Sequence, residues 1–174
     1  MKKVICLILV VGSCFCTSAQ TLRVVTEDLP PYQIVVKGKL VGGSAFLLVK
    51  EMLERAQLES RIELLPWARA YAIASADANV VIFSMTKTLE RESYFHWLLK
   101  LDHLNYSFFS LTSRPEVRVN NLTEALSHTV SAVRNSFEAR TLMKMGFREG
   151  INLILTVTYK ETWQMVQLGR VDLT

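Results

Sequence analysis

The residues with the greatest chemical reach lie in one stretch, Phe83-Ser84-Met85-Thr86-Lys87-Thr88-Leu89-Glu90-Arg91. An apolar run from Asn79 to Phe83 reads as a buried strand. It ends in hydroxyls, opens a short helical turn and presents an arginine one turn in. Free amides at a helix start, together with a guanidinium fork, are suited to a small carboxylate. A second stretch, Leu65-Pro66-Trp67-Ala68-Arg69-Ala70-Tyr71, adds aromatic rings and another cation. Little else points to catalysis. His96, His103 and His128 lack metal-ligand spacing, and the chain has no nucleophile elbow, phosphate loop or dinucleotide fingerprint. No metal and no cofactor is expected.

The elements that must position these residues alternate in type. Leu22 to Thr26 is a β-branched run and a strand. Pro30 and Pro31 force a loop, because neither can donate to a ladder. Lys37-Gly38-Lys39 turns a hairpin between Gln33–Val36 and Leu40–Val41. Ser44 is a candidate N-cap for a helix whose apolar face is Phe46, Leu47, Val49, Met52, Leu53 and Ala56. Arg61 to Leu65 is a strand, Trp67 to Ala76 a helix, and Asn79 to Phe83 a strand. This order favours a parallel sheet covered by helices. The second half repeats the theme. Leu104 to Thr112 is strand-like, and Asn121 caps a short helix. Strands follow at Thr129–Val133 and Asn152–Val157, and helices at Phe137–Met145 and Lys160–Leu168. Val171 begins another strand, and the chain stops at Thr174 in mid-strand, which suggests a truncated product or partial sequence.

Residues 1–19 read as a signal peptide. Lys2 and Lys3 precede an apolar core at Val4–Val11, and Thr17-Ser18-Ala19 offers small residues before Gln20. An alternative is a lipoprotein box at Val11-Gly12-Ser13-Cys14, with Cys14 lipidated. All three cysteines fall in this segment, so the chain from Gln20 has no disulfide or thiol chemistry. That portion carries 18 basic and 16 acidic residues. The balance gives no reason to expect a nucleic-acid partner.

Several features in order resemble the bacterial extracellular solute-binding proteins of family 3, the polar amino-acid receptors of ABC importers. They are Leu22–Thr26 followed by Pro30-Pro31-Tyr32; Lys37-Gly38-Lys39-Leu40-Val41-Gly42 before a helix; Pro66-Trp67 with Arg69; Ser84-Met85-Thr86 with Thr88, Glu90 and Arg91; and Gly169-Arg170-Val171-Asp172 after a helix. The resemblance implies an α/β, two-lobed periplasmic-binding-protein type II fold with an incomplete second lobe. Lobe 1 would span residues 20–103, a hinge crossover 104–112 and a partial lobe 2 113–174. It further implies a periplasmic, monomeric protein that closes around an amino-acid-like solute and presents it to an ABC permease.

Site roles follow from the same resemblance. Arg91 would grip the solute's α-carboxylate, with Ser84 and Thr86 offering backbone and hydroxyl groups. Asp172 would pair with the solute's ammonium, or else be a strand-end aspartate in a turn. Ser136 falls where the family has a threonine at a lobe-2 helix start, although Asn135-Ser136-Phe137 departs from the usual glycine-threonine turn. Glu27 falls at a pocket acid, and Leu29 replaces a frequent aromatic. Tyr32 and Trp67 are candidate aromatic walls or plain packing, and Arg69 a second cleft cation or a surface side chain. Two other classes stay open. One is a ligand-sensing input domain of a larger signalling or cell-wall protein. The other is a cyclohexadienyl-dehydratase-like enzyme, in which Glu27 or Asp172 would supply the acid or base.

Overall fold

The computed structural model describes residues 21–174, so the signal-peptide and Cys14 readings lie outside the described residues. Lobe 1 is built on three parallel strands, β1 (Leu22–Thr26), β4 (Ser60–Leu64) and β5 (Val80–Ile82), in the order β4-β1-β5. The central position of β1 explains its apolar centre. Val24 and Val25 are fully buried, one on each face of the sheet. Arg23 enters the ladder at its exposed end and forks onto Glu63 (2.9 and 3.0 Å). A hairpin, β2 (Ile34–Val36) with β3 (Lys39–Gly42), and helix α1 (Ser44–Arg55) connect β1 to β4. Helix α2 (Trp67–Ala76) connects β4 to β5.

The start of α1 differs from the expected Ser44 cap. Gly43 is the cap residue and contributes no side chain, with φ 111°. A Cβ there would lie 2.2 Å from the Tyr32 carbonyl. That carbonyl instead accepts the amides of Ala45 (3.1 Å) and Phe46 (3.2 Å), so loop backbone satisfies the helix N-terminus. This docking also sets the helix phase. Ala45 and Val49 face the sheet and Leu53 packs against the same cluster, whereas Leu47 (58% exposed) and Met52 (37%) face outward. The expected apolar face is therefore rotated. Ala45 was absent from it, yet only a small residue permits the close approach of helix and loop.

Lobe 2 repeats the plan. Strand β6 (Val130–Val133) pairs in parallel with β7 (Leu153–Thr156) on one side, and Leu173 bridges Val130 in parallel on the other. Short helix α4 (Leu122–Ala125) precedes β6. Helix α5 (Phe137–Lys144) lies between β6 and β7, and α6 (Tyr159–Gln167) follows β7. The caps explain the boundaries. Asn121 accepts the Glu124 amide, Ser136 the Ala139 amide, and Thr158 with Glu161 forms a reciprocal capping box that the sequence reading did not pick out. The buried core of this lobe runs through Val130, Ala132, Leu142, Phe147 and Leu153.

The segment 104–112, expected as a crossover strand, holds no regular strand. Its one sheet-like feature is a reciprocal backbone pair between Phe109 and Thr174, both bonds 3.0 Å.

Candidate functional site

In an open parallel sheet, ligands bind beyond the carboxyl ends of the strands, where neighbouring connections diverge to opposite sides. Lobe 1 has such a point after β1, at Thr26–Glu27, because the chain goes first to β4 and then to β5 on the other flank. Lobe 2 has the same point after β6, at Arg134–Asn135–Ser136. The structure brings these two places together.

Arg91 lies at the junction, in the four-residue helix α3 (Leu89–Glu92), whose N-cap Thr88 accepts the Arg91 amide. Its side chain is 2% exposed. Nη1 donates to the Thr86 carbonyl (3.0 Å) and Nη2 to the Asn135 carbonyl of lobe 2 (3.4 Å). The guanidinium stacks 5.4 Å from the Trp67 ring and 5.0 Å from the Tyr71 ring. Burial lowers its pKa, partly offset by Tyr71. No carboxylate forms an ion pair with it among the described residues. Backbone carbonyls thus engage two of its roughly five N–H groups.

Trp67, the first residue of α2, is buried, and its Nε1 donates to the same Asn135 carbonyl (2.9 Å). One lobe-2 carbonyl therefore receives two lobe-1 donors. Asn135 can turn that carbonyl toward lobe 1 because it takes the left-handed conformation, φ 61°, which asparagine tolerates. Beside it, Arg140 of α5 meets Glu90 (2.6 Å).

Ser84, also left-handed at φ 60°, is turned into lobe 1. Its Oγ accepts from Gln33 Nε2, which also donates to Thr26 Oγ1 (3.0 Å). Gln33 is completely buried and its Oε1 has no partner among the described residues. Thr86 Oγ1 shares a hydrogen bond with the Tyr106 hydroxyl (2.8 Å). Ser136 is buried and caps α5 through its Oγ (3.1 Å to the Ala139 amide). The next two amides, Phe137 and Glu138, have no partner within the described residues, as the first turn of a helix requires.

Glu27 follows β1 directly and is 6% exposed. Burial, then the nearby charges of Glu138 and Asp28, push its pKa up to about 8. Across the junction, Glu138 Oε1 accepts from the Tyr159 hydroxyl (2.9 Å), while its Oε2 is buried without a partner. Burial and the two carboxylates raise the Tyr159 pKa, so its hydroxyl stays protonated and donates.

Three sequence candidates sit elsewhere. Asp172 is turned to the opposite end of β6. Its carboxylate accepts the Thr129 amide and hydroxyl (both 2.9 Å) and pairs with Arg114 (2.8 Å). A four-residue strand separates that end from Asn135 by about 13 Å. Burial acting upward is outweighed by the Thr129 bonds and Arg114, which hold the Asp172 carboxyl below its ordinary range. In this arrangement it staples a strand end. Tyr32 packs with Val24, Ala45, Val49 and Phe83 in the lobe-1 core, and burial, then Asp102, raises the pKa of its hydroxyl. Arg69 is exposed on α2, where its charge bears on Glu63.

The sequence reading missed Gln33, Glu138 and Tyr159, and it quoted Tyr71 and Asn135 only within longer stretches, without a role of their own. Tyr71 was the most accessible, one turn after Trp67 and so on the same face. A cavity of about 260 Å³ lies between the segment 104–112 and lobe 2, lined mainly by apolar groups including Phe109, Phe137 and Trp163. It reaches Glu138 and Tyr159 but not Arg91, Ser84 or Thr86. Among the described residues, no cluster of three or more potential metal ligands exists. No helix there is long and apolar enough to cross a membrane.

No protein-family profile and no curated protein sequence matches the chain. Solved structures do. An amino acid ABC transporter substrate-binding protein, AbpA, from Streptococcus pneumoniae, bound to L-arginine, superposes with TM-score 0.73 at 17% identity, over 87% of this chain and 65% of that one. Holo ArgBP from T. maritima gives 0.67 at 19%, over 87% and 66%. A histidine kinase sensor domain with similarity to periplasmic binding proteins gives 0.70 at 18%, over 88% and 66%. The chain thus spans about two thirds of the length of these proteins. At these identities the likeness is one of fold, and it agrees with the strand order and the junction described above. The chain has the α/β fold of the periplasmic solute-binding proteins, with two lobes meeting at the carboxyl ends of their central strands.

Proposed function

We propose that this protein captures a small amino-acid-like solute between its lobes. The observation that carries this reading is Arg91, a buried cation at the interlobe junction without a carboxylate partner among the described residues. Burying an unpaired charge is costly, and an incoming carboxylate offsets that cost. Thr86 and the open amides at the start of α5, set by Ser136, supply further donors for an anionic end. Trp67 walls the guanidinium. Closure follows from binding, since a solute touching both lobes favours the closed arrangement over the open one. The similar structures include an amino acid ABC transporter substrate-binding protein with L-arginine bound. A secreted, monomeric receptor that serves an ABC permease fits this fold. The sensor-domain neighbour favours a second reading, a sensing lobe of a larger protein.

The test is a thermal-shift panel of α-amino acids with wild type and Arg91→Lys. A solute that binds only the native state raises Tm with concentration. The expected result is a shift with one amino-acid class that is strongly reduced in Arg91→Lys, which keeps the charge but loses the fork. A shift unaffected by Arg91→Lys would move the site elsewhere. No shift with any amino acid would refute the reading. Turnover of prephenate or arogenate would replace it with the enzyme reading.

A further inference from the structure

A single glutamine ties together the ends of the two lobe-1 strands that lead into the junction. Gln33 is completely buried. Its backbone is fixed first. It exchanges hydrogen bonds with Leu29 (2.9 and 3.2 Å), and Gly43 lies so close that a Cβ there would come within 2.8 Å of the Gln33 amide nitrogen. From this base Nε2 donates to Thr26 Oγ1 at the end of β1 (3.0 Å) and to Ser84 Oγ, two residues past the end of β5. Ser84 is 51 residues away in sequence and left-handed, with φ 60°. That backbone crowds the Cβ of any residue but glycine, and persists where the surroundings hold it. The turn it opens leads directly to the cation. The Thr86 carbonyl accepts Arg91 Nη1 (3.0 Å), Thr86 Oγ1 bonds the Tyr106 hydroxyl (2.8 Å), and Thr88 accepts the Arg91 amide (3.2 Å). Thr86 is two Cα steps of ~3.8 Å from Ser84, so reversing the sign of φ at Ser84 would carry its carbonyl several ångström from the guanidinium.

We propose that Gln33 is a positioning residue for Arg91: its buried amide holds Ser84 in the left-handed turn that brings the Thr86 carbonyl to the guanidinium, and so keeps the cation aimed at the junction. The functional consequence rests on the capture reading above, in which Arg91 takes the carboxylate of the solute. The cost of the arrangement argues for a role beyond packing. Gln33 Oε1 is buried without a partner among the described residues. An open acceptor in a core is unfavourable, and an unbranched apolar side chain of similar length would fill the space without it. What such a side chain lacks is the donor that joins Thr26 to Ser84. The Ser84 hydroxyl is accordingly turned into lobe 1, toward the glutamine.

The link can be cut from either end. Gln33→Met removes the donor and Ser84→Ala the acceptor, so both delete the same bond and their effects should not add. Glycine takes a positive φ about as readily as a negative one. A glycine at position 84 therefore holds the turn without the glutamine, which a residue needed only for packing would not permit.

The experiment is NMR of the whole chain without solute, following the guanidinium signals of Arg91, which are assigned by their loss in Arg91→Lys. Calorimetric titration with L-arginine and L-glutamine as α-carboxylate probes accompanies it. The variants are Gln33→Met, Ser84→Ala, the two together, and Gln33→Met with Ser84→Gly. We expect Gln33→Met and Ser84→Ala each to speed solvent exchange of the Arg91 Nη protons about tenfold and to weaken a bound probe by a similar factor, the size of one buried hydrogen bond. The Gln33→Met, Ser84→Ala double variant should be no worse than either alone, and Ser84→Gly should recover most of what Gln33→Met loses. Unchanged Arg91 signals in Gln33→Met would overturn the proposal. So would additive losses, or a loss that Ser84→Gly leaves unrepaired, since Gln33 would then act through packing alone. If Gln33→Met does not fold, Ser84→Ala decides by the same signals, because it cuts the same bond and leaves Gln33 its Thr26 partner. An Arg91 response without binding of either probe would support the positioning role and count against the capture reading, so the two fail separately.

Discussion

Replacing Glu27 with glutamine should stabilise the empty protein, and the gain should depend on pH. An unfolded chain exposes Glu27 at its ordinary value of 4.5, whereas burial and the charges of Glu138 and Asp28 push it to about 8 in the folded state. Between those limits the native state holds a proton that the unfolded state has lost. Stability therefore falls as pH rises from 4.5 to 8, and is flat above and below. Each unit is worth about 1.4 kcal/mol, so by pH 7 this carboxyl costs up to about 3 kcal/mol. Side-chain relaxation and entry of water set that figure as a ceiling. Glutamine has nearly the same shape and no charge to bury. Urea unfolding of wild type and Glu27→Gln across pH 4.5–8 should give curves that meet near pH 4.5 and diverge steadily, with the variant more stable by about 2–3 kcal/mol at pH 7. Parallel curves would refute the reasoning, because they would mean that Glu27 ionises as freely in the folded protein as in the unfolded chain. A variant less stable at pH 7 would mean that the ionised carboxylate is held by favourable bonds.

Other outcomes follow from the same geometry. Trp67→Phe keeps the ring against Arg91 but removes the Nε1 donor to the Asn135 carbonyl. Losing one such bond, about 1 kcal/mol, should reduce closed-state occupancy and weaken solute affinity about fivefold by calorimetry; unchanged affinity would show that this contact does not hold the lobes together. Asp172→Asn should cost lobe-2 stability about 1–2 kcal/mol through Thr129 and Arg114, with little effect on solute affinity. Because the Asp172 carboxyl sits below its ordinary range, that contribution is present at neutral pH. It is lost only as pH falls through the lowered value. A large affinity loss in Asp172→Asn with stability intact would return that residue to the site.

Local order was legible because it depends on neighbours in sequence. The alternation of β-branched runs with helical periodicity marks β1, α2, β5, β6 and α5 within a residue or two. Caps such as Asn121 and the Phe137 helix start follow from side chains that reach only three residues ahead. The position of Arg91, one turn inside a hydroxyl-led helix, was visible for the same reason. The phase of α1 was not, because the Tyr32 carbonyl sets it through a glycine whose missing Cβ leaves no pattern in hydrophobicity.

The sequence by itself determined the order of the strands and helices other than the strands expected at 104–112 and from Val171, and that an arginine stands at a helix start beside small hydroxyl residues. Only the tertiary structure decided what that arginine meets. Trp67 and Asn135 are 68 residues apart and Arg91 and Asn135 are 44, and no local rule pairs them. Thr129 claims Asp172 from 43 residues away, which removes from the junction the acid that the family resemblance placed there. The proton on Glu27 is likewise a property of the fold. The same glutamate ionises near 4.5 in water and near 8 when it is buried beside the charges of Glu138 and Asp28, because charge is stabilised by what surrounds it and not by the residue that carries it.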